Sequence, residues 1–233
     1  MRETLKGADA VVHLAAIDFD HQARDEIYIH VNVQGTWNVL QAAHELGISR
    51  VVLCSSVSAC GLSEANPAFI PQYLPVDEQH PLYPTQAYSV SKQLMENMAE
   101  SFVRRGGMEV ICLRPMMVLI PENIEPTLAR ADDHNSRWLF YYITPEDCAR
   151  AFERALLAED VGFATLFITA QDSCRDEPTL QWLARVLGKL PPIRDPQRYV
   201  DNPHASIFDG GRARELLGFE AQSCWRDIVS QHH

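Results

Sequence analysis

"RVVLCSS", residues 50–56, decides the fold class. A short apolar run that ends in a pair of serines is typical of a buried strand. Two other runs have the same character, "ADAVVHLAA" at 8–16 and "MEVICLRP" at 108–115. Helix-compatible stretches at about 25–46 and 86–105 lie between them. This alternation of strands and helices predicts right-handed crossovers and a doubly wound parallel α/β sheet, which is a Rossmann-like fold.

The helix predicted at 25–46 has an apolar side and a clear end. Gly47 is expected to end it, because glycine is favoured just after the last helical turn. The residues that mark its apolar side are Val31, Val39, Leu40 and Ala43. We therefore expect this side to face the sheet.

The pattern becomes less regular after residue 115. It predicts a helix at 144–159, in which Thr144 is the cap, and a strand at 165–170. Two short helices that end in glycine follow, at 179–188 and 211–218. We expect residues 1–118 to form a partial, N-terminally truncated dinucleotide-binding domain. Residues 119–233 are expected to complete the sheet and to form a small C-terminal α/β substrate lobe.

Composition excludes several classes of function. The formal charge of −11 argues against nucleic acid and against an anionic membrane surface as partners. The six cysteines form no CxxC pair, and the nine histidines show no paired ligand spacing apart from the two at the C-terminus, so no metal site is expected. No stretch approaches 18 apolar residues, so no membrane span is predicted. Together with the unpaired cysteines, this favours a cytoplasmic location.

"QAYSVSKQ", residues 86–93, places Tyr88 and Lys92 four residues apart, so that on a helix they share one face. Ser56 follows the strand at 50–54. Ligands of open α/β sheets lie beyond the carboxyl ends of the strands, so these three side chains are expected to converge there. An ammonium ion and a cationic nicotinamide would stabilise a phenolate. The trio therefore suits hydride transfer at a carbinol: Tyr88 takes the hydroxyl proton, Ser56 holds the substrate oxygen and Lys92 binds the cofactor ribose.

Each element of this trio has a plainer explanation when it is taken alone. A tyrosine followed four residues later by a lysine arises often by chance on helices, and a serine pair after a strand is a common turn signal. The order and layout of the three residues together are far more specific than any one of them.

The chain resembles extended short-chain dehydrogenases/reductases of the NAD-dependent epimerase/dehydratase family. The matching segments span nearly the whole chain and include "GADAVVHLAA", "VNVQGTWNVLQAAHELGISRVVLCSSVSACG", "YSVSK", "ICLRP", "PEDCARAFERAL" and "SIFDGGRARELLGFE". By this resemblance Ser56, Tyr88 and Lys92 are the catalytic triad. The resemblance also implies NAD as the cofactor, with NADP as the alternative, and a carbohydrate-type small molecule as the substrate.

The same resemblance assigns further residues to the cofactor site. Leu14, Ala15 and Ala16 match a strand end that lines the cofactor, and Asn32 matches a helix asparagine that supports the active site. Ser55 and Pro115 match residues near the nicotinamide. The helices near 25–46 and 86–105 match the pair that builds the interface of a homodimer.

The sequence departs from the family pattern at its N-terminus. The glycine-rich turn that binds the pyrophosphate should precede Ala8 by several tens of residues, but only seven residues do. We therefore expect weak dinucleotide binding and an exposed sheet edge. Three explanations compete: a misassigned start codon, a truncated gene, or a non-catalytic module that binds a partner. The first is preferred because the triad is intact, and the genomic sequence upstream of Met1 distinguishes them.

The substrate-side pattern also differs from that of sugar-nucleotide epimerases. Met116 and Met117 take the place of a polar substrate contact, and the segment 119–137 is short. Both features favour a free sugar or a sugar acid over a nucleotide sugar, although methionine is more often a core residue. His134 and Arg137 are weaker candidates for contact with an anionic substrate. The function expected is that of an NAD(P)-dependent oxidoreductase or epimerase; the alternative is a catalytically silent binding or regulatory module.

Overall fold

The computed structural model describes residues 1–19, 23–64, 69–134, 136, 138–139 and 141–230. Its strands are β1 (Ala10–His13), β2 (Arg50–Cys54), β3 (Glu109–Pro115), β4 (Met117–Val118), β5 (Tyr142–Ile143) and β6 (Phe163–Ile168). Its α-helices are α1 (Arg2–Leu5), α2 (Asp25–Tyr28), α3 (Gly35–Glu45), α4 (Ala87–Arg104), α5 (Pro121–Asp132), α6 (Pro145–Leu157), α7 (Thr179–Leu187), α8 (Pro196–Asp201), α9 (Gly211–Leu217) and α10 (Trp225–Ser230). A π-helix spans Ile29–Gln34, and 3₁₀-helices span Val57–Cys60 and Leu62–Glu64.

The larger sheet has the strand order β1-β2-β3-β6. Parallel pairing places Val11 beside Val51 and Val51 beside Val110. The predicted α/β class with a parallel sheet is thus confirmed. The interior residues of β2 and β3 are buried on both sides, as continuous apolar runs in parallel sheets require. Strand β1 is at the edge of this sheet, and Val12 in its middle is 39% exposed.

The helix predicted at 25–46 is interrupted by a wider turn. α2 passes into the π-helix Ile29–Gln34 before α3 begins at Gly35. Val39, Leu40 and Ala43 are buried as predicted, but the prediction for Val31 was wrong, because its side chain is 37% exposed. Val31 lies within the π-helix, which changes the rotation per residue, so residues in it and after it do not follow one α-helical face. Gly47 follows the helix in a left-handed conformation, with φ +71°, as predicted for its end.

The chain forms two compact units. The first comprises Met1–Glu64, Leu82–Arg114 and Ala151–Leu166. Its core lies between the sheet and helices α3 and α4, and its fully buried members include Leu40, Leu53 and Phe102. This packing fixes α4 against β2 and β3, the two strands that precede and follow it.

The second unit comprises Ala65–Pro81, Pro115–Arg150 and Phe167–His233. Its core is aromatic, with Phe208 packed against Phe167 and Tyr141, and Tyr142 packed against Trp225. Strands β4 and β5 pair in parallel there. The units are interleaved along the chain, and the functional division predicted at residue 118 stays a prediction.

The cysteines are all free thiols. Cys60 and Cys112 are buried, as predicted for small core residues, whereas Cys54 is half-buried. Among the residues that the structure describes, no cluster of histidine, cysteine, aspartate and glutamate has an arrangement able to hold a metal ion. Within the same residues, no helix combines the length and the apolar character needed to cross a membrane.

Candidate active site

Helix α4 brings Tyr88 and Lys92 together. It begins at Ala87, directly after Gln86 in extended conformation, so the two side chains lie on its first turns. The Lys92 Nζ atom is 5.6 Å from the centre of the Tyr88 ring. The same Nζ donates a hydrogen bond of 2.7 Å to the carbonyl oxygen of Cys54, the last residue of β2. Lys92 is only 2% exposed, so this bond ties α4 to the carboxyl end of the strand.

Ser56 lies two residues beyond that carbonyl group. Its backbone is extended, and its Oγ accepts a 3.1 Å hydrogen bond from the amide of Ser58, which starts the 3₁₀-helix Val57–Cys60. Its side chain is half-buried. The structure thus places all three residues of the predicted trio in the first unit, with Lys92 bonded to the strand end that Ser56 follows.

The Tyr88 ring lies among other aromatic rings. Phe19 and Tyr28 meet it edge-on, with ring centres 6.2 Å and 6.3 Å away. Sequence reasoning missed both neighbours. Tyr28 could have been found from its place on the helix that precedes Asn32, whereas the loop position of Phe19 carries no local signal.

Asn32 is fully buried in the π-helix and supports the backbone around Tyr88. Its Oδ1 accepts from the amide of Ile17 at 2.8 Å, and its Nδ2 donates to the carbonyl oxygen of Ile17 and to Ser91 Oγ, each at 3.0 Å. Ser91 Oγ in turn donates to the carbonyl oxygen of Tyr88 at 2.6 Å. These bonds join the loop after β1 to the first turn of α4. They favour a supporting role for Asn32 over direct contact with a cofactor.

The other predicted cofactor residues differ in exposure. Leu14 and Ala15, just after β1, are exposed, and Ala16 is half-buried, so this strand end is accessible. Pro115 is the last residue of β3 and is buried. The Ser55 hydroxyl is used inside the protein, because it donates a 2.5 Å hydrogen bond to Glu96 Oε1.

A buried ion pair lies next to Ser55 and was not expected from the sequence. Arg114 donates to both carboxylate oxygens of Glu96, from Nε at 2.8 Å and from Nη2 at 2.7 Å. Their side chains are 3% and 5% exposed. The available signal was an arginine inside an apolar strand together with a glutamate four residues after Lys92.

Lys92 and His13 are buried titratable groups at this end of the sheet. Burial lowers the pKa of Lys92, and the neighbouring Cys54 and Glu96 oppose that effect. Burial also lowers the pKa of His13, and the charge of Lys92 lowers it further. His13 Nε2 lies 3.1 Å from Thr36 Oγ1, so the imidazole has a polar partner.

Four residues predicted on the substrate side lie in the second unit or outside the described residues. Met116 is buried, which supports the plainer view of it as a core residue, while Met117 is half-buried in β4. His134 is exposed, and its backbone oxygen and ring contact Arg185 and Arg175. Arg137 lies outside the described residues.

Several known proteins are similar in sequence to this chain. A model of the NAD dependent epimerase/dehydratase family matches residues 1–145. The L-arabinose 1-dehydrogenase (NAD(P)(+)) of Haloferax volcanii is 30% identical over 179 residues, which cover 74% of this chain and 70% of the relative. The uronate dehydrogenase of Pseudomonas syringae pv. tomato is 25% identical over 186 residues, which cover 80% of this chain and 58% of the relative.

The solved structure of MoeE5 in complex with UDP-glucose and NAD superposes on 98% of this chain and 79% of its own, with a TM-score of 0.71 and 22% identity. At that identity the likeness shows the fold. The family match covers more than half of the residues, and the Haloferax relative is matched over more than two thirds of its length. The chain therefore belongs to the NAD-dependent epimerase/dehydratase family.

Proposed function

We propose that the protein is an NAD(P)-dependent oxidoreductase that removes hydride from a carbinol carbon of a free sugar or sugar acid. The observation that carries the proposal is the position of the Lys92 ammonium group, buried between the Tyr88 ring and the carboxyl end of β2. An adjacent cation stabilises a phenolate, which makes a tyrosine usable as a base near neutral pH.

The donor groups at this site suit a nicotinamide cofactor. An ammonium group has three N–H donors, and among the described residues the Cys54 carbonyl accepts one of them. The others suit the hydroxyl groups of a ribose, and the accessible strand end at Leu14–Ala16 offers an apolar lining beside it. When bound, the cofactor accepts the hydride. NAD is preferred by the family description, and NADP is the alternative.

The chain's own residues then have separate roles. Tyr88 takes the proton from the substrate hydroxyl as the hydride leaves. Ser56 donates a hydrogen bond to the same substrate oxygen, and its Oγ atom is held by the hydrogen bond that it accepts from the amide of Ser58. Lys92 keeps its charge near the phenol, and Asn32 holds the backbone of Tyr88 through Ser91. The homodimer through helices near 25–46 and 86–105 and the cytoplasmic location stay predictions.

The names of relatives include both small sugars and nucleotide sugars, and the short segment 119–137 supports the smaller substrate. Two of them are named for L-arabinose and for uronate, whereas others are named as UDP-glucose 4-epimerases and match this chain at 24% and 34% identity. An epimerase returns the hydride to the same molecule, but a dehydrogenase releases reduced cofactor. Accumulation of reduced cofactor therefore separates the two reactions.

The test uses the natural protein that contains residues 1–233, with pentoses, hexoses, uronates and UDP-sugars as substrates and NAD or NADP as cofactor. We expect reduced nicotinamide to accumulate with a free sugar or a uronate. Tyr88→Phe is expected to lower kcat by at least about 100-fold, since general acid–base groups contribute about that much. Tyr83→Phe removes a phenolic hydroxyl from an exposed residue nearby and serves as the matched control.

Two outcomes contradict the proposal. Full turnover in Tyr88→Phe would exclude this tyrosine as the base. Interconversion of UDP-sugars without net formation of reduced cofactor would identify an epimerase instead.

A further inference from the structure

The Glu96 carboxylate is the centre of a buried network of hydrogen bonds in the first unit. Its carboxylate accepts from Ser55 Oγ at 2.5 Å and from two nitrogens of Arg114 at 2.8 Å and 2.7 Å. Ser55 directly follows β2, Glu96 lies in the middle of α4, and Arg114 lies near the end of β3. The Cys60 and Cys112 thiols are also close enough to interact with the pair.

A buried ion pair of this kind contributes little net free energy to folding. Removing two charges from water is costly, and even well-made pairs are often replaced by apolar residues without loss of stability. The bidentate geometry does, however, fix direction and distance more strictly than apolar packing. The pair therefore specifies how three elements meet, which is a geometric role.

Glu96 has a direct connection to the candidate site. It lies one helical turn after Lys92 and two turns after Tyr88 on the same helix. Lys92 bonds to the carbonyl oxygen of Cys54, and Glu96 bonds to the hydroxyl of Ser55. The last residue of β2 and the residue after it are thus each tied to α4, and Ser56 is the next residue along the chain.

We infer that Glu96, held by Arg114, is a positioning residue that fixes Ser56 relative to Tyr88 and Lys92 through the hydroxyl of Ser55. The inference rests on the proposed function, because it gives the geometry a catalytic use. It also gives Ser55 a role that differs from lining the nicotinamide. A displacement of about 1 Å in such a group can lower turnover by up to about 100-fold.

The first test is Ser55→Ala, which removes one hydrogen bond and leaves the Glu96–Arg114 pair intact. We expect kcat to fall by about tenfold, while KM and NAD affinity change by less than about twofold, because only the reacting geometry is disturbed. The matched control is Ser89→Ala. Ser89 is fully buried on α4, and among the described residues its hydroxyl has no hydrogen-bond partner.

The second test separates positioning from stability. The double variant Glu96→Met/Arg114→Leu replaces the ion pair with apolar side chains of similar size, so the urea midpoint is expected to stay close to that of the wild type. We expect its kcat to fall at least as far as that of Ser55→Ala. Backbone hydrogen exchange at Ser58, whose amide bonds to Ser56 Oγ, should become faster in both variants but not in Ser89→Ala.

The outcomes separate this inference from the proposed function. Activity that is lost in Tyr88→Phe but unchanged in Ser55→Ala and in the double variant would refute the positioning role alone. Full activity in Tyr88→Phe would refute the proposed function. Unchanged exchange at Ser58 in both variants would refute the positioning role even without an assay of turnover.

Discussion

The two units each hold a segment of irregular chain through carboxylates that accept from backbone amides, but the first unit adds a close approach of two backbones. In the first unit, the 3₁₀-helical turn at Gly61 passes so close to Tyr83 that an added Cβ would lie 2.5 Å from the Tyr83 carbonyl oxygen. Nearby, the Glu64 carboxylate accepts from the amides of Thr85 and Gln86 at 2.8 Å and 3.0 Å. These contacts hold residues 83–86, which lead directly into the first turn of α4.

In the second unit, buried carboxylates hold the segment before α10. Asp147 accepts from the amides of Gln222 and Ser223, at distances between 2.9 Å and 3.1 Å. Asp172 accepts from the amide of Trp225 at 3.0 Å and from the hydroxyl of Tyr142 at 2.5 Å. None of the predicted catalytic residues lies in this segment.

The comparison teaches that the two kinds of contact serve different ends. Close approach of two backbones leaves no freedom for adjustment, and it occurs where the chain must deliver Tyr88 to a defined place. Side-chain carboxylates on backbone amides stabilise a segment but tolerate small shifts. A change at the contact between Gly61 and Tyr83 should therefore affect stability and activity together, and a change at Asp147 should affect stability alone.

The largest effect is expected for Gly61→Ala. The new methyl group would meet the Tyr83 backbone, and the residue would keep a left-handed conformation with φ +81°. We expect the free energy of unfolding in urea to fall by about 3 kcal/mol, from strain and overpacking together. Turnover per folded molecule should also fall.

Gly47→Ala is the matched control, because Gly47 has φ +71° but has open space around its Cβ position. Its cost should be about 1 kcal/mol, from backbone strain alone. Equal losses in the two variants would show that the close approach to Tyr83 contributes nothing.

A smaller effect is expected for Asp147→Ala in the second unit. The amides of Gln222 and Ser223 would lose their acceptor, which should lower the free energy of unfolding by about 2 kcal/mol. Glu146→Ala removes the neighbouring, exposed carboxylate from the same helix and should change it by less than about 0.5 kcal/mol. Urea titration gives both values. A clear loss of kcat in Asp147→Ala, measured where the protein is fully folded, would break the distinction between the units.

The smallest effect that we expect is on the pH dependence of stability, to which Asp147 should contribute. Burial alone would raise the pKa of Asp147, but the hydrogen bonds from Ser223, Arg150 and Gln222 outweigh it and hold the pKa below the ordinary value of 3.8. The unfolded chain therefore binds the proton more readily than the folded chain in this range. The contribution of Asp147 is fully present above about pH 5 and is lost as the pH falls through the folded pKa.

Thermal unfolding across the acid range tests this dependence. The wild type should lose stability more steeply with falling pH than Asp147→Asn, which has no proton to bind at this position. Parallel pH curves for the two proteins would show that the pKa of Asp147 is the same in the folded and unfolded chains.

The sequence predicted the elements with strong local signals. Apolar runs ended by serine or proline gave β2 and β3, and the spacing in "YSVSK" placed Tyr88 and Lys92 on one face of α4. The short helices α5, α8 and α10 were missed, because six to twelve residues with mixed polarity carry no clear period.

Partners in the candidate site were harder to predict than its principal residues. The bond between Glu96 and Arg114 joins residues 18 positions apart, and the bond between Ser55 and Glu96 joins residues 41 apart. Such pairs depend on how helix and sheet pack, which no local pattern records. The exposure of Val31 was missed for a different reason, because a π-helix interrupts the period on which the prediction relied.

The π-helix also fixes the position of its helical segment along α4. Asn32 binds Ile17 and Ser91, and its carbonyl oxygen accepts from Thr36 Oγ1 at 2.7 Å, which in turn meets His13. Sliding this helix along α4 by one turn would separate Asn32 from Ile17 and Ser91 and Thr36 from His13. Deletion of one residue between Tyr28 and Asn32 would turn Asn32 by about 100° around the helix axis and would take it away from both partners.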